Sequence, residues 1–340
     1  MTKSKSAVLV EIKKPLEIIE IEIPKLNSGQ VLVKIIETGI CRSQILEIDG
    51  GRDNEKWLPH MLGHEGVGIV VDKASDVAKV NINDKVVLTW IECSGLFGGS
   101  TKYNSEIGII NAGPITTFSQ YSVISENRLF KINENITEEL APLLGCAIPT
   151  GCGIVLNETN IANNEKVCIL GLGGIGISAL ITLLSINLKN ITVFDIDDKK
   201  LKLAHSMGVT NCVNLNNIDA SQFKGLFDKV IEAAGTIKTI EMGFSFLKNK
   251  GHLVFASHPP KNKKISIDPH ELISGKRISG SWGGGCNPEI EKYRLNDLFS
   301  KKIDVIKKIK SKKYTLDNIN TAIYDFKNQN CFRPIITPNK

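Results

Sequence analysis

No run of apolar residues in this chain approaches the ~18 that a membrane-crossing helix needs, so no such helix is expected. The opening MTKSKSAVLVEIKK meets charge again before any signal-peptide core has formed, and the cytoplasm is the expected location. There is no internal repeat and no low-complexity linker. A strong excess of one charge is also missing: 42 Lys and Arg stand against 36 Asp and Glu, a formal +6 over 340 residues. The basic stretch KKIDVIKKIKSKK would be the place to look for nucleic acid, but Ile and Val interleave it at helical spacing, the pattern of a solvated helix face. A mildly basic cleft for an anionic cofactor accounts for part of the charge. Eight cysteines show no compact metal-binding spacing. In a chain expected in the cytoplasm they point to metal and packing roles before disulfides.

What is present is enough for two domains: 340 residues, of which 42% are hydrophobic. Up to about residue 147 the chain carries short alternating runs such as QVLVKIIETG and DKVVLTW with turn residues between them, which reads as a β-rich domain. From about 148 to 285 the pattern becomes strand, helix, strand, helix. VCIL, ITVFDI, KVIEAAG and HLVFAS read as buried strands of a parallel, doubly wound sheet. The tail reads as helical and then extended.

Three soft ligands stand out by setting: Cys41 in GICRSQ, His64 in MLGHEGVGIV and Cys146 in LLGCAIPTGCG. They lie 23 and 82 residues apart, too far to match a compact zinc pattern, but each sits beside glycines at a strand end or turn, where a frame can present it to a cleft. Two thiolates and one imidazole are one ligand short of a closed structural zinc site, and an open position is the mark of a catalytic one. The competing reading is three buried side chains that only pack. Cys168, inside an apolar strand, is expected in the core, and Cys152, Cys212, Cys286 and Cys331 are assigned no chemistry.

GLGGIG follows the apolar run Val167 to Leu170 and opens a helix-like stretch. Gly171 permits a tight turn, Gly173 lets the backbone approach a pyrophosphate, and Gly176 allows helix to pack on strand, with Gly174 inside the same pattern. Helix amides then face the phosphates. Asp195, 24 residues after Gly171 at the end of ITVFD, is placed to accept hydrogen bonds from the adenosine ribose. Its charge repels a 2′-phosphate and favours NAD over NADP, although Lys199 or Lys200 could reach such a phosphate.

With GICRS, GHEGVG, TTFSQYSVI, LLGCAIPTG, GLGGIG and VFDIDDKKLKLAHSMG in this order, the chain resembles a zinc-dependent alcohol dehydrogenase of the medium-chain dehydrogenase/reductase superfamily over nearly its full length. The resemblance implies an α/β fold with two parts: a groES-like β-rich catalytic domain from residues 1–147 plus 286–340, and a Rossmann doubly wound domain from 148–285. It implies that Cys41, His64 and Cys146 bind one catalytic zinc with Glu65 behind them. Arg42 and Arg333 would meet the cofactor pyrophosphate, Ile175 would join the glycines of the loop, Thr150 would meet the nicotinamide amide, and Lys200 the adenosine ribose. Ser43 would hold the substrate hydroxyl. The expected reaction moves a hydride between an alcohol and NAD, with zinc as Lewis acid, on a small-molecule alcohol or aldehyde, in a homodimer or homotetramer with no nucleic-acid or membrane partner. Two other readings use the same scaffold: a zinc-free NADPH-dependent quinone or enoyl reductase, and a non-catalytic NAD-binding protein.

Three departures from the family pattern matter. Leu46 stands where a histidine usually continues the proton path, with His258 a candidate base elsewhere. Gln44 stands where an acid usually orients the zinc-bound histidine, which makes that histidine a poorer donor to the metal. Only Cys93 remains of the four cysteines of a structural zinc lobe, so no second zinc is expected. Trp90, Phe118 and Trp282 are expected around the alcohol pocket, unless they are core.

Overall fold

The structure, a computed structural model, describes residues 3–53, 55–310 and 312–340. The chain divides after Cys146 and again after Cys286: one unit joins the first segment to Asn287–Lys340, and Ala147–Cys286 forms the other.

In the first unit five strands close a barrel in the order Lys3–Leu9, Glu17–Glu22, Thr101–Ser105, Gly108–Ala112, His60–Met61. Beside it lies a seven-stranded sheet built around Gln30–Gly39, which pairs antiparallel with Glu65–Lys73, Tyr121–Ser125 and Ile335–Thr337. The alternation read in QVLVKIIETG turns Val31, Val33 and Ile35 into one core with Val70, Val86 and Leu88. The register with Glu65–Lys73 shifts between Ile35 and Glu37. Such a bulge re-aims the residues that follow it, and here it lies just before Thr38, Gly39 and the turn to Cys41. The tail belongs to this unit because Ile335 pairs with Gly39 and Ile336 with Thr38. Phe118 is not at a pocket: it is fully buried among Ala7, Leu9, Ile40 and Leu62, where an aromatic ring gains most from burial.

The second unit is a six-stranded parallel sheet in the order Asn211–Asn214, Ile191–Asp195, Val167–Leu170, Phe227–Glu232, Leu247–Phe255, Arg277–Gly280. The inner strands are continuous apolar runs because helices cover both faces of a parallel sheet. Cys168 and Leu170 pack there with Phe194, Val230, Phe244 and Leu253. The outer two strands, NCVN and RISG, were not apparent in the sequence. Each is a short segment with little apolar character, as suits a sheet edge. The helix Gly174–Ser185 follows the first of the central strands, and Asp198–Ser206 is capped by Asp197, which accepts from the Lys199 N–H at 2.8 Å. Among the described residues no helix is long and apolar enough to cross a membrane.

Candidate metal centre and cofactor cradle

The fold brings the three predicted ligands together. One ligand atom each from Cys41, His64 and Cys146 lies within 4.8 Å of the others. Cys41 precedes the helix Arg42–Ile48 in extended backbone, His64 leads into the strand Glu65–Lys73, and Cys146 follows the turn Ala141–Gly145, whose Gly145 carbonyl accepts from Thr89 Oγ1 at 2.8 Å. Each ligand therefore leaves a hydrogen-bonded element, and its placement costs little further ordering.

The protonation of the thiols shows what the cluster wants. Cys41 is held well below the ordinary thiol range, first by the hydrogen bond from the Cys146 thiol, then by the Arg333 charge, with burial opposing. Cys146 is pushed well above it by that same bond and by burial. The opposite shifts make Cys41 the readier thiolate, and a divalent cation held by both sulfurs would displace their protons. His64 Nε2 is buried with no hydrogen-bond partner among the described residues, while Nδ1 lies 2.5 Å from Gln44 Nε2. Two sulfurs and an uncommitted imidazole nitrogen suit zinc.

Glu65 and Arg333 form a buried ion pair behind the ligands, at 0% and 3% exposure. Arg333 Nε donates to Glu65 Oε1 at 3.1 Å, and its Nη2 to the same oxygen. Oε2 is buried and has no hydrogen-bond partner among the described residues. Burial pushes the Glu65 carboxyl up, and the Arg333 charge opposes that shift. The guanidinium expected at a pyrophosphate is therefore engaged by Glu65 in this structure, and with both groups buried each charge compensates the other. Gly39 makes room for the pair: a Cβ there would come within 2.1 Å of Glu65 Oε1.

Ser43 is buried with Oγ 3.5 Å from His64 Nδ1, whereas Arg42, the residue before it, is exposed. Trp90 stands beside the ligands, its ring centre 6.4 Å from that of His64. The helix that carries Leu46 offers Glu47 next to it, paired with His60 at 3.4 Å and Arg52 at 3.6 Å. Cys93 lies in irregular backbone, its thiol pushed up to about 11 by burial. That environment disfavours the thiolate a metal would need.

In the second unit the glycine loop has the geometry of a phosphate cradle. Gly171 has φ +91° and its backbone lies against Ala234, where a Cβ would meet backbone at 2.7 Å. At Gly176 a Cβ would meet the Gly171 carbonyl at 1.9 Å, so helix and strand could not approach. Nothing lies within 4 Å of the Cβ position at Gly173, leaving open space over the backbone that starts the helix. Gly174 and Ile175 form its first turn and are half-buried. The Asp195 carboxylate accepts from Leu172 N–H at 2.6 Å, Ile196 N–H at 2.8 Å and Asp197 N–H at 3.0 Å, and Lys200 Nζ stands 3.7 Å away. Thr150 is buried in the helix Ala147–Gly153. Trp282 is exposed and meets His258 edge to face with ring centres 6.0 Å apart.

Comparison with known proteins agrees with this geometry. Residues 27–134 match the alcohol dehydrogenase GroES-like domain and residues 174–301 the zinc-binding dehydrogenase domain. An S-(hydroxymethyl)glutathione dehydrogenase of Synechocystis is 31% identical over 316 residues, covering 83% of this chain and 85% of the relative. The chain belongs to the zinc-dependent alcohol dehydrogenases of the medium-chain dehydrogenase/reductase superfamily. A second dehydrogenase of that name, from Komagataella pastoris, is 29% identical and covers 98% of this chain and 97% of its own length. Two solved structures share the fold at 24% identity, each with 99% of both chains covered. They are a zinc-binding alcohol dehydrogenase domain protein from Burkholderia ambifaria, at a TM-score of 0.87, and benzyl alcohol dehydrogenase from Acinetobacter calcoaceticus, at 0.85. This dehydrogenase keeps all three metal ligands, which leaves the zinc-free reductase and the non-catalytic binding protein without a use for the cluster.

Two features of the enzyme escaped the sequence. The Glu65–Arg333 pair joins positions 268 apart, and no local pattern announces such a contact. Glu232, fully buried at the end of KVIE, was visible only as an acid ending an apolar strand.

Proposed function

We propose that this dehydrogenase transfers a hydride between small alcohols, or their aldehydes or ketones, and NAD(H), using one zinc ion per chain. The observation that carries this reading is the convergence of Cys41, His64 and Cys146 within 4.8 Å. When bound, zinc supplies a Lewis acid that makes a hydroxyl beside it more acidic, as it lowers water from about 15.7 to about 7, and the nicotinamide supplies the hydride acceptor. Cys41 and Cys146 would hold the ion as thiolates, His64 through Nε2, with the uncommitted oxygen of Glu65 in reserve. Ser43 Oγ, able both to donate and to accept, would hold the substrate hydroxyl and take its proton. With Leu46 in place of a histidine, that helix offers no imidazole to carry the proton on from Ser43, and a bound cofactor or water would supply the next acceptor. Ser43→Ala is expected to cut kcat by roughly a hundredfold, within the range of positioned proton transfer, and to leave metal content and NADH affinity unchanged. Equal turnover in that variant would remove Ser43 from the proton path.

The glycine loop Gly171–Gly176, Thr150, Asp195, Lys200 and Arg42 would hold the cofactor. Arg333 joins them only by loosening its hold on Glu65. Asp195 keeps a lone pair for the ribose after its three backbone bonds, and its charge opposes a 2′-phosphate. Asp195→Gly is expected to move the NAD-to-NADP ratio of kcat/KM by about tenfold toward NADP, near 1.4 kcal/mol. A parent enzyme that already prefers NADP would overturn the ribose argument. A cytoplasmic setting is part of this reading, because cysteines without disulfide-like spacing point to metal and packing roles first; cell fractionation tests it. A homodimer or homotetramer completes the reading, and light scattering of the purified chain tests it. The function as a whole is tested by elemental analysis coupled to NADH formation over a panel of alcohols. The panel includes S-(hydroxymethyl)glutathione, named for the relatives, and benzyl alcohol. Absence of zinc or of any NADH formation would overturn it.

A further inference from the structure

We propose that Glu232 is a positioning residue for the nicotinamide cofactor: its buried carboxylate locks the turns on which the phosphate-binding loop rests. This rests on the assignment of that loop to a dinucleotide. Glu232 ends the strand Phe227–Glu232 at the same edge of the parallel sheet as Leu170 and Phe255, its register partners in the neighbouring strands. Ligands of such sheets bind outside the carboxyl ends of the strands.

The side chain is fully buried, yet the donors around it are neutral. Oε1 accepts from Ala234 N–H at 3.0 Å, Gly235 N–H at 2.8 Å and Thr239 Oγ1 at 2.7 Å. Oε2 accepts from Ser257 Oγ. A buried carboxylate is costly unless it is hydrogen-bonded, and bonds to an ionised acceptor are the strong ones. Here they tie together three segments: the turn after the strand itself, the first turn of the helix Ile237–Phe246, and the exit of the strand Leu247–Phe255 toward His258.

The link to the cofactor is steric. Ala234, held by Glu232, is the residue against which Gly171 packs, close enough that a Cβ on Gly171 would strike its N, Cα and Cβ at 2.7 to 2.9 Å. From the other side Asp195 fixes the same loop through Leu172 N–H at 2.6 Å. The glycine loop is thus held between two carboxylates, one bonded to it directly and one acting through Ala234. Releasing Ala233–Gly235 would let Gly171 move and spoil the aim of the amides that open the helix at Gly174.

The test uses the full-length, zinc-loaded chain. Glu232→Ala is expected to raise the Kd for NADH, read by fluorescence titration, and the KM for NAD by about tenfold or more. Zinc content should stay the same, and kcat at saturating NAD should stay within about threefold of the parent. Glu232→Gln should recover most of the affinity, because its amide oxygen can keep the donors on Oε1 while its NH2 donates to Ser257 Oγ. Ser257→Ala, which removes one bond and no charge, should weaken NADH by about threefold, and it decides the matter if Glu232→Ala does not fold. Unchanged NADH affinity in a folded Glu232→Ala, or in Ser257→Ala where that variant decides, overturns the proposal. So does a fall in kcat with no change in cofactor affinity. A parent chain that binds neither NADH nor NADPH overturns the dinucleotide assignment instead, a distinguishable failure.

Discussion

Cys146→Ser is expected to strip the enzyme of its zinc and to lower kcat/KM by roughly a thousandfold or more, about 4 kcal/mol of barrier, while NADH still binds. The hydrogen bond from the Cys146 thiol holds Cys41 well below the ordinary thiol range, and the same bond with burial holds Cys146 well above it. Serine at 146 could still donate a hydrogen bond to Cys41, so the fold should survive. A serine hydroxyl, however, does not ionise near neutral pH and is a hard oxygen where a soft thiolate is needed. The remaining thiolate and imidazole are two ligands where catalytic zinc sites use three. Cofactor binding should persist because the glycine loop and Asp195 belong to the second unit, with a core of its own around Cys168, Phe194 and Val230. The measurements are zinc per chain by elemental analysis, steady-state rates, and NADH fluorescence. Parent-level turnover in a zinc-depleted Cys146→Ser would refute the metal's role in the reaction.

Gln44→Asp is expected to tighten zinc binding by up to about a hundredfold, the scale on which groups behind metal ligands act. Two nitrogens face Gln44: the Cys41 backbone N–H, which donates to Oε1 at 2.8 Å, and His64 Nδ1, 2.5 Å from Nε2. An amide has one oxygen and one NH2. With the oxygen bound to Cys41, the NH2 donates to Nδ1 and drives the imidazole proton onto Nε2, the nitrogen with no hydrogen-bond partner among the described residues, where a metal would need a lone pair. Zinc must therefore win against the tautomer that Gln44 favours. An aspartate offers two acceptors, one for each nitrogen, and adds a charge that strengthens the imidazole as a donor. Competition with a chelator reads the change directly, without reference to turnover. Equal affinity in the two proteins would show that the Gln44 amide does not bias the site.

The clustering of Cys41, His64 and Cys146 and the tight turn at Gly171 were readable because their signals are local: a soft side chain beside a turn, and glycines spaced where backbone must come close. The β-rich first part and the parallel sheet were readable from the periods of QVLVKIIETG and VCIL. The edge strands NCVN and RISG were not, because an edge position does not demand the continuous apolar run that betrays a central strand. Phe118 shows the limit of analogy, since an aromatic residue offers as much to a core as to a pocket. Arg333 shows another: its residue type announced a charge to be matched, and folding supplied Glu65 as the partner through the pairing of Ile335 with Gly39.

By itself, then, the order of amino acids determined the chemistry available to this dehydrogenase: two thiols and an imidazole for zinc, a glycine loop and an acid for a dinucleotide, an amide where an acid is usual. Tertiary structure alone decided which groups meet, placing Glu65 against Arg333, Gln44 between Cys41 and His64, and Glu232 beneath the turn that carries Gly171. The physical reason is that donor type and backbone freedom are properties of single residues and short segments. Desolvation and hydrogen-bond pairing act between whatever the folded chain brings within about 3 Å, however far apart in sequence.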